Sequence, residues 1–297
     1  MPPTYDEISG RAGFPVPLSY YEFLRFAFEI EDVNPWNVFE PLGILNFDLS
    51  IAHPGYRLTA EDYIEYAGTP AEGVLFAWMG CDGAHFVFLL DETPTAAKEL
   101  PIARVCFDGC HGLRGMTFSE FLAAELADVV AYQAEHESEH LNARRTERVA
   151  RQRELIAALV ERFSISIPDS GGDDDARHEL VWTHRKAAGA IETEDRLGVV
   201  LPPNSYDPNR LARQQWRAPD ESLLLTAERC LKEGETGSAL VLARNFRHHF
   251  QYDDWKTDRR WMPWTADILE DAYTRLGRRH AAKKVRAQTD WALKNLL

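Results

Sequence analysis

An apolar run that doubles back on itself constrains this chain more than any other feature. Val74 to Met79 and His85 to Leu90 flank Gly80-Cys81-Asp82-Gly83-Ala84. Asp-Gly between β-branched and aromatic runs marks a hairpin, because glycine accepts a positive φ. A third run, Ile102 to Phe107, ends at a second Asp-Gly, Asp108-Gly109. The pattern predicts a three-stranded antiparallel meander, and none of its residues forms a recognisable catalytic device.

Helical signals surround it. Residues 1–17 are rich in Pro and Gly and read as an extended lead-in. Ser19-Tyr20-Tyr21-Glu22 has the form of a capping box, and the residues after it are apolar on nearly every face, which predicts a helix buried against a sheet. The prolines between Asp32 and Gly55 exclude a long helix but leave room for an edge strand within Leu42 to Ile51. Thr59 is placed to cap another helix, ending by Gly68. Cys110 to Gly115 reads as a loop. Thr117-Phe118-Ser119-Glu120 opens a helix whose apolar face, Phe118, Phe121, Leu122 and Leu126, is expected to close the domain on the sheet.

Past Ala131 the helical pattern continues but becomes highly charged, predicting a solvated strut over 131–165. Residues 166–219 read as an irregular connector, with short strands within Glu179 to Thr183 and Gly198 to Leu201. From 220 to 297 the period is helical again, and Gly234 to Ala239 recurs as Gly277 to Ala282. Two helical hairpins stack there, because one hairpin cannot bury its own apolar face. The expected architecture is therefore an α+β domain over 1–130, a long helix, and an all-α helical-hairpin domain over 220–297.

Charge separates the halves. Of 47 acidic and 33 basic side chains, residues 1–130 hold 20 acidic and 6 basic ones, while the remainder holds 27 of each. Such a field repels nucleic acid and anionic membrane and speeds encounter with a basic partner. The N-terminus lacks the basic and apolar regions of a signal peptide, and no apolar run approaches the roughly 18 residues of a membrane helix. Four cysteines without a CxxC pair suit reduced thiols. A cytoplasmic protein is the resulting expectation.

In order along the chain, several short motifs resemble the SUKH superfamily, which joins yeast cell-wall-synthesis regulators to bacterial immunity proteins. They are Pro17 to Leu24, Phe76-Ala77-x-x-Gly80-x-Asp82-Gly83, Phe86-x-Phe88-x-Leu90-Asp91, Val105-x-Phe107 and Phe118-x-x-Phe121-Leu122. Tyr273-x-x-Leu276-Gly277-x-x-x-x-Ala282 is similar to the small/large pattern of tetratricopeptide repeats. Each resemblance implies a protein-binding module without catalytic residues or cofactor. It implies a stoichiometric role, in which the acidic domain masks a basic partner such as a toxin; Asp82, Asp91, Glu92 and Asp108, at strand ends, are the expected contacts. A peptide-binding helical scaffold is an alternative.

Two patterns point to metal instead. His136-Glu137-Ser138-Glu139-His140 matches HExxH, in which His136 and His140 would bind zinc and Glu137 would act as base. Its charged surroundings suit an exposed helix better than a zinc-protease helix. Cys81, His85, Cys106, Cys110 and His111 lie at strand ends, but turns at opposite edges of a meander are expected to keep Cys81 far from Cys106. Small buried thiols are the simpler reading. No Walker loop, dinucleotide glycine fingerprint or nucleophile elbow is present.

Overall fold

A computed structural model describes residues 3–30, 48–49, 69–78, 84–92, 94–106, 111–135, 143–168, 173–214, 220–253 and 260–295. Its centre is an antiparallel sheet in the order β1 (Asp48–Leu49), β2 (Gly73–Trp78), β3 (His85–Leu89), β4 (Ile102–Val105) and β5 (Gly112–Gly115). The three runs of the meander are its middle strands, with His85 opposite both Trp78 and Val105. The edge strand expected within 42–51 is β1 where that span is described, and the stretch read as a loop, Gly112–Gly115, is the other edge.

Every residue of β3 is buried, which is why its sequence reads as a continuous apolar run rather than an alternating one. Phe86 and Phe88 face one core, Val87 and Leu89 the other. On the first face lie α1 (Tyr5–Ala12), α2 (Leu18–Ile30) and α3 (Phe118–Glu135). Aromatic rings fill this layer: Tyr20 meets Phe88 and Phe118 edge-on at 5.3 and 5.2 Å, and Phe76 stacks on Phe88 at 4.2 Å. Such pairs add about 0.5–1.5 kcal/mol each beyond area burial.

The lead-in contains a helix, α1, with a reciprocal capping box: Glu7 N donates to Thr4 Oγ1 and Thr4 N donates to Glu7 Oε2. Gly13, at φ 76°, ends it. The Ser19 cap is not used. The second helix begins one residue earlier, at Leu18, and Ser19 Oγ donates to Glu99 Oε1 at 2.6 Å. The third cap does form, Glu120 N donating to Thr117 Oγ1 at 3.1 Å. The helix expected from Thr59 lies outside the described residues.

The strut is corrected. The helix α4 (Ala143–Phe163) places Leu155, Ile156 and Leu159 in the first core, together with Ile165 just beyond it, and Gln133 of α3 donates to Gln152 across the pair at 3.0 Å. Glu147, Arg151, Arg153 and Glu154 are exposed, whereas Leu155 and Leu159 lie on the domain's own core. The connector is corrected too. It contains α5 (Asp174–Ala187), a two-stranded ribbon of β6 (Ala190–Ile191) and β7 (Val199–Val200), a 3₁₀ turn and α6 (Pro208–Gln214). Residues 179–183, read as a strand, belong to α5. Asp173, within the span read as irregular, caps this helix, accepting from Ala176 N at 2.9 Å. Val181 and Trp182 then cover the second face of the sheet, with Leu197.

The C-terminal helices form as the period indicates: α7 (Glu221–Glu233), α8 (Thr236–Asp253), α9 (Trp261–Arg275) and α10 (Arg279–Asn295), each packed on the next. Gly234 and Gly277, the repeated glycines, both follow helix ends at positive φ, 85° and 75°. Their core includes Ala71, from the segment leading into β2.

Candidate functional site

The largest concentration of buried charge sits where residues 69–73 run beneath the C-terminal helices. Glu72 exposes 2% of its surface, Asp195 4%, Arg244 6% and Lys284 2%. Burial on this scale requires partners. Arg244, on α8, supplies them: Nε donates to Asp195 Oδ2 at 2.7 Å and Nη1 to Glu72 Oε1 at 2.9 Å. Asp195 also accepts from Thr193 Oγ1 at 2.6 Å and Leu197 N at 3.1 Å. Although burial alone would raise it, the Arg244 charge and these donors hold the Asp195 carboxyl well below its ordinary range.

From α10, Lys284 Nζ donates to the carbonyls of Gly73 at 2.6 Å and Pro70 at 3.1 Å, and Gln288 Nε2 donates to Thr69 O at 3.2 Å. These bonds fasten the backbone just before β2. Burial, with Arg247 nearby, brings the Lys284 ammonium down to about 7. Thr69 Oγ1 meets His85 Nε2 at 2.9 Å, and His111 lies edge-on to His248 of α8 at 5.5 Å. Burial lowers the His248 imidazole.

Beside this cluster is a cavity of about 30 Å³, lined by Thr69, Pro70, Ala71, Asp195, Arg244, Arg247, His248, Leu269 and Tyr273. It has room for one or two water-sized groups, an order of magnitude below the roughly 300 Å³ of ordinary ligand pockets. Asp195 is committed to Arg244 and cannot act as a base near neutrality. Lys284, whose basicity suits proton transfer, is turned onto two carbonyls. The arrangement holds two parts of the chain together.

A second charged seam runs along β5, α3 and α5. Arg114, 3% exposed, donates to Glu125 Oε1 at 2.5 Å, to Asp128 Oδ2 at 2.7 Å and to Asp174. Arg177 donates to Asp128 Oδ1 at 2.9 Å, and Arg104 to Asp174 Oδ2 at 2.6 Å. A third contact joins Arg185 of α5 to both oxygens of Asp91 at 3.0 and 3.1 Å.

These pairs decide the fate of the expected contact residues. Asp91 is turned inward onto Arg185 and also accepts from Val200 N at 3.1 Å, so it is removed from the partner-contact set. Its position after an apolar strand looked like a free strand end only because its partner comes 94 residues later. Glu92 is exposed. Asp82 and Asp108 lie outside the described residues, as do His136, Glu137 and His140. The strand register also corrects the turn geometry: β2 passes into β3 at the same end where β4 passes into β5, since those turns are alternate rather than consecutive. Asp91 and Glu92 leave β3 at the opposite end.

Of the strand-end cysteine and histidine set, His85, Cys106 and His111 are described and share that end, with Cys106 N donating to His111 Nδ1 at 3.4 Å. Among the described residues, no group of three or more His, Cys, Asp or Glu is placed to hold a metal ion, and no helix is long and apolar enough to cross a membrane. Sequence reasoning missed Arg114, Arg185, Arg244 and Lys284. Basic residues within apolar helical periods were the available signal: Arg185 follows Val181 and Trp182 by one turn, and Arg244 follows Leu240 by one turn.

No protein-family model matches the chain, and no curated protein matches it.

Proposed function

We propose that this protein is a non-catalytic binding module whose acidic N-terminal half engages a basic protein partner, in the manner implied by its resemblance to SUKH immunity domains. The observation that carries this reading is the fate of the acidic excess. Internal pairing takes up Glu72, Asp91, Glu125 and Asp128. Among the described residues of the first 130, seven carboxylates stay exposed (Asp6, Glu7, Glu22, Glu29, Glu92, Glu99 and Glu120) against Arg25 and Lys98. A surface of that sign favours long-range attraction of cationic proteins and costs little when the charges lie on a rim. Glu92 is the described residue proposed for contact, with Asp82 and Asp108 completing the set.

The test is capture from a lysate of the source cells on the immobilised full chain, beside a variant carrying Asp82→Lys, Glu92→Lys and Asp108→Lys. One basic protein, retained at low salt, released at high salt and lost from the variant, supports the proposal. Capture that ignores both salt and the triple substitution, or no capture, rejects it.

A further inference from the structure

The edge strand β5 leaves the N–H of Leu113 without a strand partner on its outer side, and an imidazole accepts it: Leu113 N donates to His178 Nδ1 at 3.1 Å. His178 is 4% exposed. It stands one turn before Val181 and Trp182, the side chains that cover the second face of the sheet. We propose that His178 is an acid-sensitive latch, protonation of its ring in mildly acidic medium releasing α5 from β5 and uncovering the sheet face formed by Val87, Leu89, Ala103, Val105 and Leu113.

The chemistry follows from the direction of one bond. A neutral ring accepts at Nδ1; an imidazolium carries N–H on both nitrogens and sets a donor against the Leu113 donor. The bond is lost, and a charge is left in an apolar layer. Burial is the main influence lowering the His178 basicity; Arg196 adds to it, while Glu179 and Asp175 oppose it. Facing the helix from β4, β5 and α3 are Arg104 and Arg114, which donate to Asp174, Asp128, which accepts from Arg177, and Glu125, which accepts from Arg114. At the far end, Arg185 holds Asp91. The Asp128 carboxyl is held below its ordinary range by its arginines in spite of burial, but burial pushes Glu125 upward, so Glu125 also gains a proton as pH falls.

The sign is fixed by linkage. His178 binds its proton more weakly when α5 is docked than when it is free, where the ordinary value of about 6.5 applies. Docking is therefore at full strength above that pH. Below it, the opening constant grows about tenfold per pH unit until the docked-state pKa is reached.

Amide hydrogen exchange of the full-length protein between pH 5 and 7.5, corrected for the intrinsic exchange rate, reads this directly. Protection at Leu113 is expected to fall as pH drops below 6.5, by up to about tenfold per pH unit and only until the docked-state pKa is passed, with Phe88 in β3 keeping its protection. His178→Asn places a non-titrating oxygen near the Nδ1 position and is expected to abolish the slope, whereas Glu125→Gln leaves it in place. A slope that survives His178→Asn overturns the proposal. Should that variant not fold, an NMR titration of the wild-type His178 ring decides: a pKa clearly below 6.5 supports the latch, and one at or above 6.5 overturns it.

Discussion

Replacing Asp91 by Asn removes one charge and almost no volume, and it tests whether α5 is locked to the sheet. Arg185 exposes 1% of its surface. Its guanidinium is held by both Asp91 oxygens and by the carbonyls of Leu197 at 3.1 Å and Gly198 at 3.4 Å. Asn keeps an acceptor for Val200 N, but it turns an amide donor toward the guanidinium and leaves that cation without a counter-charge. Breaking a buried pair from one side costs about 3–5 kcal/mol. Because the Asp91 side chain is 19% exposed, water softens the loss and the lower end applies, about 3 kcal/mol. Against a net stability on the order of 5–15 kcal/mol, that is a large fraction. Urea unfolding of the wild type, Asp91→Asn, Asp91→Leu, Arg185→Met, and the double variant Asp91→Leu with Arg185→Met measures it. The double variant is expected to be more stable than the sum of the Asp91→Leu and Arg185→Met losses implies, by about 2 kcal/mol or more, since it strands no charge. A cost below about 1 kcal/mol for Asp91→Asn, or simple additivity, refutes the lock.

Three other outcomes follow from the packing. Gly198 lies at φ +67°, and an added Cβ would come 2.4 Å from the Trp182 ring; Gly198→Ala should cost roughly 2 kcal/mol or more and alter the near-ultraviolet dichroism of the tryptophans. A fragment of residues 1–130 lacks Leu155, Leu159 and Ile165 from its first core and all of α5 from its second face, so it should bind a hydrophobic dye and unfold without cooperativity; a sharp transition would contradict this. Burial, with Lys284 and Lys283 close by, lowers His280 to about 4. A depressed imidazole stabilises the fold fully above about pH 6.5, and that contribution drains away by about 1.4 kcal/mol per unit as pH falls toward 4. His280→Gln should flatten the acid limb of a stability profile, and an unchanged limb would count against the assignment.

What could be read in advance was whatever depends on near neighbours. The Asp82-Gly83 hairpin, the cap at Thr117 and the glycines ending α7 and α9 are settled within a few residues, and each stands where the period places it, the turn itself excepted because it lies outside the described residues. The helical period from 220 onward likewise corresponds to a core face, with Leu224 and Cys230 buried. The failures arose where distant chain overrides a local signal. Ser19 had the form of a cap, but Glu99 draws its hydroxyl away. The charged stretch after Ala131 suggested a free strut because nothing in it announces that Leu155 joins the same core as Phe23. Residues 166–219 read as an irregular connector, yet Asp173 there caps a helix and Asp174 binds Arg114 and Arg104. Thr4-x-x-Glu7 was a readable capping box that its flanking prolines obscured. The buried arginines were hidden most deeply, since nothing near Arg244 in sequence indicates that Glu72 lies beneath it.

The contacts that close the sheet against the last helices join positions very far apart along the chain: Arg244 reaches back 172 residues to Glu72, Lys284 211 residues to Gly73, and Gln288 219 residues to Thr69. On the ribosome, the strands are made first and the side chains that fasten them last. At about 5–20 residues per second, the sheet waits roughly 10 to 40 seconds for its final ties. Early in that interval, until α5 has been made, the valine face of the sheet is available to any neighbouring chain. The protein's yield in a cell should therefore depend on chaperones that shelter a half-made sheet more than on the strength of the finished fold.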